Sequence, residues 1–145
     1  MLAARADGDR LAAGFDRLFE ALRRLNPADG LSLTTASTLR RLDRCGDHRL
    51  SELAAAEGVT QPAMTQLVSR LERDGLAERC PEPADGRVVV VRITEAGREV
   101  VRRRRAERAE RLAALIEHLP DRDRAAIEAA LPALDHLGEL LTDES

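Results

Sequence analysis

Across residues 60–94 the apolar spacing changes from a helical to a strand period within a few positions, and few folds accommodate that change in so short a run. Met64, Leu67, Val68 and Leu71 keep the i, i+3, i+4, i+7 spacing of one buried helical face. Gln61, Thr65, Gln66, Ser69, Arg70 and Arg73 fall on the other side, which is polar and rich in hydrogen-bonding groups. Gly75 stops this helix, and the pattern then predicts strands at residues 76–80 and 88–93 around the loop 81–87. A polar-faced helix beside a hairpin with Arg87 near its tip suits reading one groove of duplex DNA and gripping the next.

The segment just before this helix completes a recognisable unit. Ser51 is expected to cap a short helix at 52–57, Gly58 to supply the turn, and Thr60 to cap the next helix. Val59 and Met64 are spaced as a hydrophobic staple, and Pro62 falls in the first turn, where a missing N–H costs least. Helix, glycine turn and capped helix together predict a helix-turn-helix. Further upstream, Leu11, Phe15, Leu18, Phe19, Leu22 and Leu25 mark an amphipathic helix ended near Asn26-Pro27. A second helix is expected at 35–44, with Leu39 and Leu42 inward and Gly46 as its stop.

Downstream, Thr94 is placed to cap a long helix reaching about Leu119, and Pro120 breaks it. Asp121 is expected to cap a last helix with Ile127, Leu131, Leu134, Leu137 and Leu141 inward and a kink at Pro132; residues 142–145 are expected to fray. Residues 31–93 can build a small core unaided. The first and last helices cannot, so their apolar stripes must meet each other, a second copy of the chain, or both.

At 145 residues the chain is too short for two independent enzyme domains. It has no uninterrupted apolar run of about 18 residues and no apolar N-terminal leader, so a cytoplasmic protein without membrane contact is expected. All 23 basic side chains are arginine, whose planar fork can engage two acceptors on guanine or phosphate. The formal charge of −3 argues against nucleic acid only if read globally, because binding depends on where the charges lie.

In order, Ser51-Glu52-Leu53-Ala54, Thr60-Gln61-Pro62-Ala63-Met64-Thr65, Leu71-Glu72-Arg73-Asp74-Gly75-Leu76, Asp85-Gly86-Arg87 and Ile93-Thr94-Glu95-Ala96-Gly97 resemble the MarR family of transcriptional regulators. The resemblance implies a mainly α (α+β) fold, a winged helix-turn-helix with N- and C-terminal dimerisation helices. Residues 31–95 would form the DNA-binding domain, and residues 1–30 with 96–145 the helical dimerisation region. It also implies that Gln61, Pro62, Ala63, Thr65, Gln66 and Ser69 face base edges and phosphates in the major groove. Arg70 and Arg73 would meet the backbone or a guanine, and Arg87 would enter the minor groove with Asp85 fixing its direction by a charge-assisted pair.

The partners expected are double-stranded DNA and a second copy of the chain, with a pseudo-palindromic operator and repression as the outcome. Family resemblance adds a cleft between the DNA-binding lobe and the dimer helices for a small aromatic or anionic effector, lined here by the first, second and fifth helices with Phe15 and Phe19 the only aromatics. The alternative function is a winged helix used for protein–protein contact, motivated by the acidic net charge and the scattered acidic residues around the hairpin.

No catalytic constellation, phosphate loop or cofactor motif emerges, and no enzyme is expected. Cys45 and Cys80 are neither a disulfide framework nor a CxxC pair, and Cys45 with His48, three residues on, falls two ligands short of a tetrahedral metal set. Cys80, beside Arg79, reads as a small apolar strand residue more readily than as an oxidant sensor. The run from Arg102 to Arg105 reads as a solvated helical face with ion pairs to neighbours such as Glu107 and Glu110.

Overall fold

The computed structural model describes residues 2–26 and 29–143, with side chains from 7 to 140 outside the 27–28 gap. The expectations for Pro27, for the side chain of Leu141 and for fraying at 142–145 lie outside the described residues or side chains. The order is α1 (Leu2–Arg23), α2 (Leu33–Cys45), α3 (Leu50–Ala56), α4 (Gln61–Arg73), β1 (Ala77–Pro81), β2 (Val89–Ile93), α5 (Glu95–Ile116) and α6 (Asp121–Asp143). This is a mainly helical fold carrying a two-stranded wing.

Helix α1 begins well before the apolar stripe that announced it, since the preceding Leu2-Ala3-Ala4-Arg5-Ala6 are strong helix formers. The Asn26 side-chain amide donates to the Arg23 carbonyl at 3.1 Å and closes its last turn. Helix α2 starts earlier than its apolar spacing indicated, because Ser32 caps it: the Thr35 N–H donates to Ser32 Oγ at 3.1 Å. Gly46 ends it at φ 82°, a conformation only glycine adopts without strain, with its N–H on the Leu42 carbonyl at 3.1 Å.

The start of α3 corrects the expectation for Ser51, which lies inside the helix. Leu50 is its first residue, and the Glu52 carboxylate accepts the Arg49 backbone N–H at 2.8 Å. A carboxylate reaching back three residues performs the capping expected of the hydroxyl. Helix α4 begins as its sequence indicates, with Thr60 Oγ accepting from the Ala63 N–H at 3.4 Å and Pro62 in the first turn. Thr94 caps α5 by accepting the Gly97 N–H at 3.1 Å. That helix ends at Ile116, three residues short of expectation. Asp121 is the first residue of α6 rather than its cap; the Asp123 and Arg124 N–H groups instead donate to the Pro120 carbonyl. The helix continues through Pro132.

β1 and β2 pair antiparallel from Ala77 with Ile93 to Pro81 with Val89. The other edge of β2 is also occupied: His48 donates its N–H to the Val91 carbonyl at 3.1 Å and accepts the Val91 N–H at 2.8 Å. That one-residue bridge joins the α2–α3 loop to the wing's root.

The core is assembled from α2, α3, α4 and the two strands. Leu39, Leu42, Leu53, Met64, Val68, Leu71 and Val91 are almost completely buried, with Val59, Leu76, Val100 and Val101 packed on their margin. Gly97 lets α5 cross the strands closely. A Cβ at that position would stand 2.7 Å from Ile93 Cγ1 and closer still to the Leu76 carbonyl oxygen. The expectation that α6 turns Ile127, Leu131, Leu134 and Leu137 inward does not hold within one chain: all four are exposed, as are Leu11, Phe15, Leu18 and Phe19 of α1.

Arg104 breaks the pattern expected of the arginine run. Arg102 pairs along α5 with Glu95 and Glu99, and Arg103 lies 3.9 Å from Glu107. Arg104 is instead buried, with its guanidinium on the Asp29 carboxylate in the α1–α2 connection. Burial alone raises the Asp29 pKa. The hydrogen bonds from Arg104 and the Leu31 N–H, with the charge of Arg104, outweigh that effect and hold the carboxyl below its ordinary value.

Candidate nucleic-acid interface

The polar face of α4 forms one continuous exposed surface. Gln61, Pro62, Ala63, Thr65, Gln66, Ser69, Arg70 and Arg73 are all exposed, while Met64, Leu67, Val68 and Leu71 anchor the opposite face in the core. The Thr65 hydroxyl donates to the Gln61 carbonyl at 2.9 Å. This satisfies the hydroxyl within the helix.

Asp85 and Arg87 lie at the exposed hairpin loop, where the Val88 N–H donates to the Asp85 carbonyl at 2.9 Å and the Glu82 N–H to the Val88 carbonyl at 2.8 Å. The expected Asp85–Arg87 side-chain pair is replaced by a backbone contact. Asp85 Oδ1 accepts the Arg87 backbone N–H at 3.1 Å, so it shapes the turn and leaves the guanidinium free. Among the described residues, Arg70, Arg73 and Arg87 form no ion pair.

Three further pairs of residues hold the wing against the neighbouring segments and have no local sequence signature. Glu72 on α4 accepts the Arg79 backbone N–H at 3.1 Å with one oxygen and the Arg79 guanidinium with the other. The same guanidinium reaches Ser69 Oγ at 3.4 Å, which partly engages a hydroxyl expected to face outward. Arg49, at the start of α3, pairs with Glu82 of the wing at 2.9 Å. That hydrogen bond and the neighbouring charge hold the Arg49 guanidinium above its ordinary pKa. On the far side of the sheet, Arg92 forks onto Asp47 at 3.0 and 2.7 Å. The pairs link residues up to 45 positions apart, which periodicity cannot register.

The cysteines and the histidine near them show no shared site. Cys45 is exposed, Cys80 is half-buried in β1, and both are free. The His48 ring bonds the Gly46 carbonyl through Nδ1 at 2.8 Å. Among the described residues no group of three or more His, Cys, Asp or Glu side chains is arranged to hold a metal ion, and no helix is long and apolar enough to cross a membrane.

A cleft of about 540 Å³ opens between α1, α2 and α5. Phe19 and Leu22 of α1, Leu33 of α2 and Leu112 of α5 supply its apolar wall, with Arg40 and Arg108 among its polar groups. Phe19 therefore lines the cleft as expected, whereas Phe15 is not part of it.

A capped recognition-type helix, a short preceding helix and a braced hairpin define a winged helix-turn-helix protein. Comparison with known proteins gives the family. Residues 31–89 match the MarR family. An HTH-type transcriptional regulator of Mycobacterium bovis is 37% identical over 123 residues, covering 82% of this chain and 86% of the relative. The HTH-type transcriptional repressor IacR of Pseudomonas putida is 32% identical over 93 residues, 64% of this chain and 56% of that protein. A crystal structure of a Pseudomonas aeruginosa regulator superposes with a TM-score of 0.82 at 30% identity, covering 96% of this chain and 97% of the other. The chain belongs to the MarR family of HTH-type transcriptional regulators, which are DNA-binding and non-enzymatic proteins.

Proposed function

We propose that this chain is a cytoplasmic homodimeric repressor that binds a pseudo-palindromic operator and is released from it by a small aromatic anion. Residues 31–95 form the DNA-binding domain, and residues 1–30 and 96–145 the dimerisation region. The observation that carries the reading is the exposed polar face of α4 from Gln61 to Arg73, together with the exposed Arg87 of the wing loop; among the described residues Arg70, Arg73 and Arg87 form no ion pair. A net-acidic chain that pairs Arg79, Arg49 and Arg92 around this surface keeps Arg70, Arg73 and Arg87 available for phosphate or guanine.

Gln61 and Gln66 present amides suited to adenine, Thr65 a methyl suited to thymine, and Pro62 and Ala63 small apolar contacts at the helix start. Ser69 contacts phosphate, and Asp85 sets the turn that aims Arg87 at a narrow minor groove. Similarity to a named repressor, IacR, supports the sign of regulation. The effector occupies the cleft, with its ring against Phe19 and Leu22 and its anionic group toward Arg40 or Arg108.

Footprinting and band-shift titration on the DNA upstream of the chain's own gene test the proposal. Protection of an inverted repeat by a dimer, with affinity falling steeply as salt rises, is the expected result. A monomer that binds this DNA no better than unrelated DNA would overturn it. The effector is tested separately by thermal shift with phenolic acids, where stabilisation must accompany release of DNA. The protein-contact alternative is separated by the same titration, since it expects a DNA affinity that responds little to salt.

A further inference from the structure

Beyond the cleft, the facing surfaces of α2 and α5 form a second groove of about 520 Å³ that is lined by Arg40, Arg41 and Arg44 of α2 and Arg105 and Arg108 of α5. The helical spacing explains the convergence: positions 40, 41 and 44 share one side of α2, and 105 and 108 one side of α5. Arg41 is engaged by Glu57 at 3.5 Å. Arg40, Arg44, Arg105 and Arg108 form no ion pair or hydrogen bond among the described residues. The groove's one carboxylate, Asp43, lies 3.7 Å from Arg98.

We infer that this groove binds a small soluble anion carrying two or more linked phosphate groups. Four unpaired guanidiniums around one concavity, in a chain of net charge −3, create a local excess that a single monovalent anion cannot balance. A planar guanidinium takes two phosphate oxygens at once, so linked phosphates can be held by forks from both helices. The groove has no aromatic wall, so the ligand is recognised by charge and oxygen geometry rather than by a stacked ring. Burial pushes the Arg40 pKa below its ordinary value; repulsion from Arg108, Arg104 and Arg44 adds to this, and the attraction of Glu57 offsets only part of it. A bound polyanion relieves that repulsion.

The groove shares Arg40 and Arg108 with the effector cleft, but Arg44 and Arg105 line the groove alone, so substituting these two tests the groove without touching the cleft. It also stands apart from the DNA reading, since no residue of α3, α4 or the wing belongs to it. The probe is inorganic pyrophosphate, titrated calorimetrically into the full chain at fixed ionic strength. Saturable binding is expected, weakened about tenfold or more in Arg44→Gln/Arg105→Gln and unchanged in Arg122→Gln/Arg124→Gln, which removes the same charge from α6. Arg44→Lys/Arg105→Lys should retain part of the affinity, because it keeps charge without the fork.

Equal binding by the wild type and Arg44→Gln/Arg105→Gln would overturn the assignment. So would orthophosphate, sulfate or citrate binding as tightly as pyrophosphate. If that variant instead loses DNA affinity with no polyanion present, the groove holds DNA backbone. If it shifts the monomer–dimer equilibrium, the groove holds a partner's carboxylates. Either result would also overturn the inference.

Discussion

At the scale of single residues, the exposed arginines and glutamines should separate by the kind of contact they make. Arg87→Ala should weaken binding on every sequence and lower the slope of log affinity against log salt by roughly one, the signature of one lost cationic contact with the negatively charged groove. Gln66→Ala should instead change which base is preferred, by about 1–3 kcal/mol for a lost bidentate contact. Binding titrations of both variants on an operator and its single-base variants at several salt concentrations measure the difference. Arg104 calls for a different measurement, because its partner is a carboxylate of the same chain, Asp29 in the α1–α2 connection. The Asp29 pKa is depressed on folding, so its stabilising contribution is fully present above about pH 4 and is lost as pH falls through the folded value. The urea midpoint should therefore fall on acidification below about pH 4, and less steeply in Asp29→Asn. Arg104→Ala should cost about 1–3 kcal/mol near neutral pH, since it strands a partly buried carboxylate. The polar positions of α4 were legible in the sequence because the buried spacing of Met64, Leu67, Val68 and Leu71 places them on the opposite face. Arg104 was not, because nothing in a run of four arginines marks which one meets an acid 75 residues away.

Among elements, the boundaries that local chemistry determines were the readable ones. Thr60 and Thr94 cap α4 and α5 as their hydroxyls and following residues indicate, and the glycines at 46, 58 and 75 take positive φ where each turn requires it. The start of α3 was misplaced because Ser51 and Glu52 both offer capping groups, and only the fold decides that the carboxylate reaches back to Arg49. The third edge of the sheet at His48 and the Glu72–Arg79 brace were invisible for another reason: each joins segments whose contact depends on tertiary packing. Gly97 gives the element-scale test. Alanine at an interior helical position normally gains about 1 kcal/mol over glycine. At residue 97 its methyl would collide with Ile93 Cγ1 and the Leu76 carbonyl, the point where α5 crosses the wing's root. Gly97→Ala should therefore destabilise by about 1–3 kcal/mol, as overpacking does, and chemical denaturation reads the sign directly. A stabilised variant would mean that α5 can move away from the strands.

For the whole molecule, the decisive feature is that one copy leaves its longest apolar stripes uncovered. Leu131, Leu134 and Leu137 on α6 are each 40% exposed or more, and Leu18 and Phe19 on α1 are 50% and 62% exposed. The central core owes little to these side chains: its most deeply buried members come from α2, α3, α4 and β2, which lie between the two outer helices in the sequence. If the stripes are buried between two copies, a dimer-breaking substitution should separate assembly from folding. Leu134→Asp/Leu137→Asp should yield a monomer by sedimentation velocity, while the amide protection of α4 and β2 persists. Two copies on one dimer engage two half-sites together, so the monomer should lose affinity for a full operator by a factor of about 100 or more. It should keep nearly the wild-type affinity for an isolated half-site, because Gln61 to Arg73 and Arg87 are untouched. Equal losses on half-site and full operator would show instead that the outer helices support the reading head itself.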